Sequence, residues 1–152
     1  MIDSKQLVEY AKHPELTFQN LSKMLDLLQS TDETEANSAS EWLENCGAPR
    51  PEDFAFFLDQ LKSAQSPRVY WCSTLLGRLG ANGAGLAKRS PIQAELCNAI
   101  SNETLELSAR ERAAWAIGEL GGVDSDCRAL LKKQVENAPA RLKRLLEAAL
   151  AI

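Results

Sequence analysis

Few side chains in this chain are of a type that could do chemistry alone, and their spacing limits what that chemistry can be. His13 is the only histidine among 152 residues. Sites that need two imidazoles, including His-x-x-x-His metal sites and paired-His hydroxylase sites, are thereby excluded. His13 precedes Pro14 and reads as a solvated loop residue rather than a general base. Nothing in the sequence brings a cysteine to it to form a nucleophilic Cys–His pair. Cys46, Cys72, Cys97 and Cys127 are widely spaced and include no Cys-x-x-Cys pair. Three of them fall on apolar helix faces, so free buried thiols are expected rather than disulfides. The glycine cluster from Gly77 to Gly85 lacks the Lys-Ser/Thr ending and the preceding strand of a phosphate loop. The carboxylate pairs Asp32/Glu33 and Glu52/Asp53 stand at helix starts, where the helix dipole accounts for them. The expectation is a non-enzyme with no catalytic residue, no metal and no cofactor.

Binding chemistry is better represented. Trp71 and Trp115 lie off the main apolar stripe, on the same flank of matching helices, with Arg78 beside one and Arg112 and Glu119 beside the other. Phe56 points away from the stripe of Phe54, Phe57 and Leu58. Aromatic residues and Arg are enriched where proteins meet, but stacked helices bury both flanks, and both readings stand for these aromatics. Arg128, Lys132, Lys133, Arg141, Lys143 and Arg144 form a basic cluster interrupted by Glu136 and Glu147, with no aromatic interleaved to stack on bases. Residues 1–67 hold 5 Lys/Arg against 12 Asp/Glu, and residues 68–152 hold 12 against 9. Such a gradient can steer a charged partner to one end.

These residues must be positioned by helices. Val occurs only at 8, 69, 123 and 135, while Leu, Ala, Glu and Lys abound, a balance that favours helix over strand. Nine helices are predicted. Leu7, Tyr10 and Ala11 share the face of a short first one. Leu21, Met24, Leu25 and Leu28 follow at helical spacing. Asp32 or Thr31 caps the third, with Glu35 completing a capping box; Ala36, Ala39, Leu43 and Cys46 face inward and Gly47 ends it. Pro51 opens the fourth, with Phe54, Phe57, Leu58 and Leu61 inward. Ser66 and Pro67 open the fifth, which buries Cys72, Leu75, Leu76 and Leu79 and stops at Gly80. Residues 81–85 read as a loop. Ser90-Pro91 starts the sixth, with Ile92, Leu96, Ala99 and Ile100 inward. Ser108 with Glu111 caps the seventh, whose stripe is Ala109, Ala113, Ala116, Ile117 and Leu120 before Gly121-Gly122. Asp124 or Ser125 opens the eighth, with Cys127, Leu130, Leu131 and Val135 inward. Pro139 opens the ninth, with Leu142, Leu145, Leu146, Ala149 and Leu150 inward.

The helices repeat. Residues 67–80, PRVYWCSTLLGRLG, match residues 108–121, SARERAAWAIGELG, at a shift of 41, which lays Gly77 over Gly118 and Gly80 over Gly121. A period in the low forties marks stacked helical units. Gly77 and Gly118, each inside a helix, are expected to serve close packing against the neighbouring unit. The segment Ala109–Gly121, with an Arg, small Ala-rich positions and a Leu-Gly ending, resembles the first helix of a HEAT repeat, in its short bacterial form. Residues 67–80 match it more loosely, with Tyr70 and Trp71 where small residues are usual, and residues 34–47 match in Leu43 and Gly47.

The resemblance implies an all-α fold, a short right-handed α-solenoid of antiparallel helix pairs, whose grooved surface binds other macromolecules. Residues 1–152 then form a single domain. Residues 1–30 and 138–152 cap it, and repeats occupy 31–65, 66–102 and 107–137. The expected function is a protein–protein interaction module, a scaffold or adaptor whose partner is another protein. Its ridge comes from 51–63, 91–101 and 124–137, with candidate contacts Phe56, Asp59, Gln60, Asn98, Arg128, Lys132 and Lys133. The alternative is a nucleic-acid-associated protein using the basic C-terminal helices, and a third reading is a HEAT-like lyase or cofactor-attachment factor. The first residues, MIDSKQLVEYAKH, lack the apolar core of a signal peptide. With no membrane-length apolar run, a cytoplasmic monomer or weak homodimer is expected.

Overall fold

Every regular element is helical: a computed structural model, which describes residues 17–46, 53–80, 91–121 and 123–152, contains eight helices and no strand among those residues. They are α1 (Thr17–Leu27), α2 (Glu33–Asn45), α3 (Phe54–Leu61), α4 (Ser66–Gly77), α5 (Ile92–Ser101), α6 (Leu107–Glu119), α7 (Ser125–Val135) and α8 (Ala140–Leu150). The expected first helix, His13, Gly47, Pro51, Glu52, the 81–85 loop, Ser90 and Gly122 lie outside the described residues.

Local chemistry starts and stops these helices. Asp32 Oδ1 accepts from the backbone N–H groups of Thr34 (2.9 Å) and Glu35 (3.3 Å) at the start of α2, satisfying two of the donors that a helix start leaves without partners. The reciprocal half of the box takes a different route. The Asp32 N–H donates to Ser30 Oγ at 3.1 Å, and that hydroxyl donates to Glu35 at 2.8 Å. Asp124 caps α7 by accepting from Cys127 N at 2.8 Å. Gly80 (φ 59°) and Gly121 (φ 82°) adopt left-handed geometry just past α4 and α6, where glycine carries no Cβ penalty.

Two expected caps are corrected. α6 begins at Leu107, so Ser108 lies within it, and its N-cap Glu106 makes no side-chain cap bond. Ser66 is the first residue of α4 rather than its cap. The Ser66 hydroxyl is engaged elsewhere: Ser66 Oγ accepts the Glu106 N–H at 2.8 Å, which ties the start of α6 to the start of α4.

The chain forms two compact units, Met1–Ala48 and Pro49–Ile152. In the first, α1 and α2 pack on each other. Leu21, Met24, Leu25 and Leu27 are buried on α1, and Ala39, Trp42 and Leu43 on α2. Leu27 takes the place expected for Leu28.

In the second unit, α6 packs between α4 and α8, and α5 packs on both α3 and α7. Cross-contacts join α3 to α4, α5 to α6 and α7 to α8. The centre of α6 is built from small side chains: Ala109, Ala113, Ala114 and Ala116 are fully buried, which lets helices approach on several sides. α4 is buried all round from Trp71 to Gly77, as a helix enclosed in a core must be. Its expected stripe was narrower, and Leu79 is only half-buried. Ser73 Oγ is buried there with no hydrogen-bond partner among the described residues, whereas Thr74 Oγ1 donates to the Tyr70 carbonyl at 2.8 Å. α7 and α8 each lack the third neighbour that α6 has. Accordingly Leu130 is exposed, and Val135, Leu145 and Leu150 are half-buried instead of inward.

Candidate functional site

Three first-turn or mid-helix arginines hold the second unit in register. Arg68 on α4 donates to Gln60 Oε1 at 2.7 Å and to Gln65 Oε1 at 2.7 Å. Arg110 on α6 donates to the Ile100 carbonyl at 2.8 Å, at the end of α5. Arg128 on α7 donates to the Leu150 carbonyl at 2.9 Å and to the Ile152 carbonyl at 3.3 Å, at the end of α8. A cation at a helix C-terminus meets carbonyls that have no partner within the helix and the negative end of the dipole.

These bonds bear on the candidate face. Asp59, Asn98, Lys132 and Lys133 are exposed on α3, α5 and α7. Gln60 and Arg128, from the same expected set, are half-buried and engaged as just described. Phe56 is half-buried and meets Phe57 edge-on, with ring centroids 5.9 Å apart. The structure therefore leaves four polar residues of the predicted ridge open to solvent and gives the other three partners within the fold.

The tryptophan flank resolves into packing. Trp71 is buried to 8% exposure and meets Tyr70 edge-on at 5.4 Å. Trp115 is half-buried and lies against Gly77: a Cβ built on that glycine would come within 2.8 Å of Trp115 Cη2. Arg112 lies 4.8 Å from the centroid of Tyr70 and 5.0 Å from that of Trp115. It also donates to Tyr70 Oη at 2.7 Å. One guanidinium thus links rings from α4 and α6 by cation–π contacts, each worth about 0.5–2 kcal/mol according to its desolvation. Beside it is a hollow of about 180 Å³ lined by Tyr70, Ser108, Glu111, Arg112, Trp115, Arg141 and Leu145. Tyr70 joins this cluster although helix spacing gives no sign of it. The signal that could have found it is the 41-residue shift, which places Tyr70 one residue from the position matched to Arg112.

A second hollow of about 180 Å³ opens on the other side of Trp115, lined by Ala114, Trp115, Gly118, Glu119, Leu145, Ala148 and Ile152. Here the close packing expected at Gly118 is corrected. A Cβ at that position would meet nothing within 4 Å, because the neighbouring α8 leaves the space empty.

The thiols show no sign of nucleophilic preparation. None of the four cysteines forms a disulfide, and all four are buried. Burial pushes the thiols of Cys72, Cys97 and Cys127 upward, away from the thiolate form that a nucleophile needs. Cys127 Sγ donates to the Gln93 carbonyl at 3.7 Å. Gln93, buried at 5% exposure, accepts from Asp124 N at 2.9 Å and so fastens the start of α7 to α5. No group of three or more His, Cys, Asp or Glu is placed to hold a metal ion among the described residues. No helix among them is long and apolar enough to cross a membrane. Neither a protein-family model nor a curated protein matches the chain.

Proposed function

We propose that the chain is a non-enzymatic protein-binding module of the cytoplasm, a scaffold or adaptor built as a short HEAT-like right-handed α-solenoid. One observation carries the reading. In the second unit, α4, α6 and α8 pack in succession, α3, α5 and α7 do the same, and α5 and α6 join the two rows. Such a ladder is what stacked helix pairs produce, and the 41-residue match of α4 with α6 supports reading them as equivalent members. Stacks of this kind present one row of helices as a recognition surface, and here that row is α3, α5 and α7.

Its open polar residues are Asp59, Asn98, Lys132 and Lys133. The partner is another protein, which meets the two lysines with acidic groups. The module itself is a monomer or weak homodimer. Phe56, Gln60 and Arg128 shape this face from beneath rather than leading the contact.

The test is a tagged capture with and without nuclease, followed by affinity measurement on the captured protein. Reversal of both lysines (Lys132→Glu with Lys133→Glu) should weaken that protein's affinity about fivefold or more, since each rim charge contributes up to about 1 kcal/mol. Unchanged affinity would remove this face from the account. Capture of nucleic acid, with affinity falling steeply as salt rises, would favour the exposed cations Lys132, Lys133, Arg141, Lys143 and Arg144 as phosphate contacts instead.

A further inference from the structure

Gly77 and Gly118 hold the same position in the two matched segments, 41 residues apart, but only one of them is covered. The indole of Trp115 closes over Gly77. Over Gly118 lies the hollow bounded by Ala114, Trp115, Leu145 and Ala148, with Glu119 and Ile152 at its edge. Nothing on α8 does for Gly118 what Trp115 does for Gly77: Ala148 is too short and Leu145 lines the wall. The edge is apolar on one side, where Ile152 is 56% exposed. On the other side it is acidic, where the exposed Glu119 carboxylate has no hydrogen-bond or ion-pair partner among the described residues.

We propose that this hollow is a docking site for an aromatic side chain of a partner protein, preceded in its sequence by an Arg or Lys that meets Glu119. The filled position sets the ring, and Glu119 sets the charge. Over Gly77 the occupant is an indole, and the guanidinium three residues before it, Arg112, packs there on the rings of Tyr70 and Trp115. At Gly118 the neighbouring residue is Glu119, where the matched segment has Arg78, so a cation carried at the same spacing would meet a carboxylate instead. The hollow at Gly118 lies where α6 meets α8, with a glycine floor and a carboxylate that has no partner among the described residues. A ring entering there removes apolar surface of Trp115, Leu145, Ala148 and Ile152 from water, and the cation answers the carboxylate. Buried aromatic anchors of this kind dominate recognition energy when a pocket receives them. The proposal rests on the reading of the chain as a protein-binding module, but it uses a different surface from Lys132 and Lys133.

The experiment is amide NMR of the full chain titrated with acetyl-Arg-Ala-Ala-Trp-amide, with acetyl-Arg-Ala-Ala-Ala-amide as the comparison peptide. The expected result is saturable shifts at Gly118, Glu119 and Ala148 with the Trp peptide and none with the Ala peptide. Gly118→Leu, whose Cβ meets nothing within 4 Å and whose longer side chain is placed to fill the hollow, should abolish the shifts. Glu119→Lys should weaken binding about fivefold. Shifts that do not saturate, or that persist in Gly118→Leu, would overturn the proposal. So would movement of the same amides on simple dilution without peptide, which would assign the hollow to a second copy of the chain. The Lys132→Glu, Lys133→Glu variant should bind the Trp peptide unchanged, so failure of the ridge and failure of the hollow are read separately.

Discussion

Segments 67–80 and 108–121 end in the same Leu/Ile-Gly-x-Leu-Gly pattern, and both close with a left-handed glycine, Gly80 and Gly121. At the glycine inside each helix they part. Gly77 lies under an indole that leaves no room for a methyl group, and Gly118 faces empty space. A glycine within a helix costs roughly 1 kcal/mol relative to alanine. At Gly77 that cost is returned as a close contact between α4 and α6. At Gly118 no described residue returns it, so the same residue type in the same register is structural in one place and open in the other.

The comparison can be broken or sharpened by substitution. The largest effect is expected from Trp115→Ala, which uncovers Gly77 and removes one ring from Arg112. A loss of about 3 kcal/mol is expected by chemical denaturation, the low end for deleting a large aromatic because Trp115 is only half-buried. Gly77→Ala should follow, with a loss of about 1–3 kcal/mol from overpacking against the indole. Gly118→Ala should move the other way and raise stability by about 1 kcal/mol, because its methyl meets nothing and the helix gains propensity. Ser73→Ala should be neutral or raise the melting temperature slightly, since it removes a buried hydroxyl with no partner among the described residues.

The smallest effect near neutrality comes from the thiols. Burial raises Cys72, Cys97 and Cys127 above their ordinary values in the folded chain. Below a pH of about 8.5, the value for an unperturbed cysteine, folded and unfolded chains hold the same thiol protons and this contribution to stability is intact. Above it the unfolded chain releases protons that the folded one retains, so stability falls as pH rises. Denaturation midpoints measured from pH 7 to pH 10 should show that decline, and replacing Cys72 by Ala should make it shallower.

The helical framework was legible because it is written locally. Leu21, Met24 and Leu25 on α1, the Asp32 and Asp124 caps, and the α6 stripe from Ala109 to Leu120 all follow from spacing within one or two turns. What was not legible depends on neighbours far along the chain. Ser66 looked like a cap because its partner, Glu106 N, is 40 residues away. Trp71 looked like a flank residue because the polar pair Ser73-Thr74 interrupts the apolar run of α4, which hides a helix buried on all sides. On the candidate ridge, the exposure of Asp59, Asn98, Lys132 and Lys133 could be read from helix faces. The engagement of Arg128 with the end of α8, across 22 residues, could not.

The contrast between the two glycines is tested most directly by a double-mutant cycle on Gly77 and Trp115, with Gly118→Ala measured alongside. If Trp115 is what makes Gly77 obligatory, Gly77→Ala should destabilise the chain with its tryptophan and become neutral or stabilising in the Trp115→Ala background, while Gly118→Ala stabilises both. An equal loss from Gly77→Ala in both backgrounds, or a loss from Gly118→Ala, would contradict the assignment of one covered and one open position.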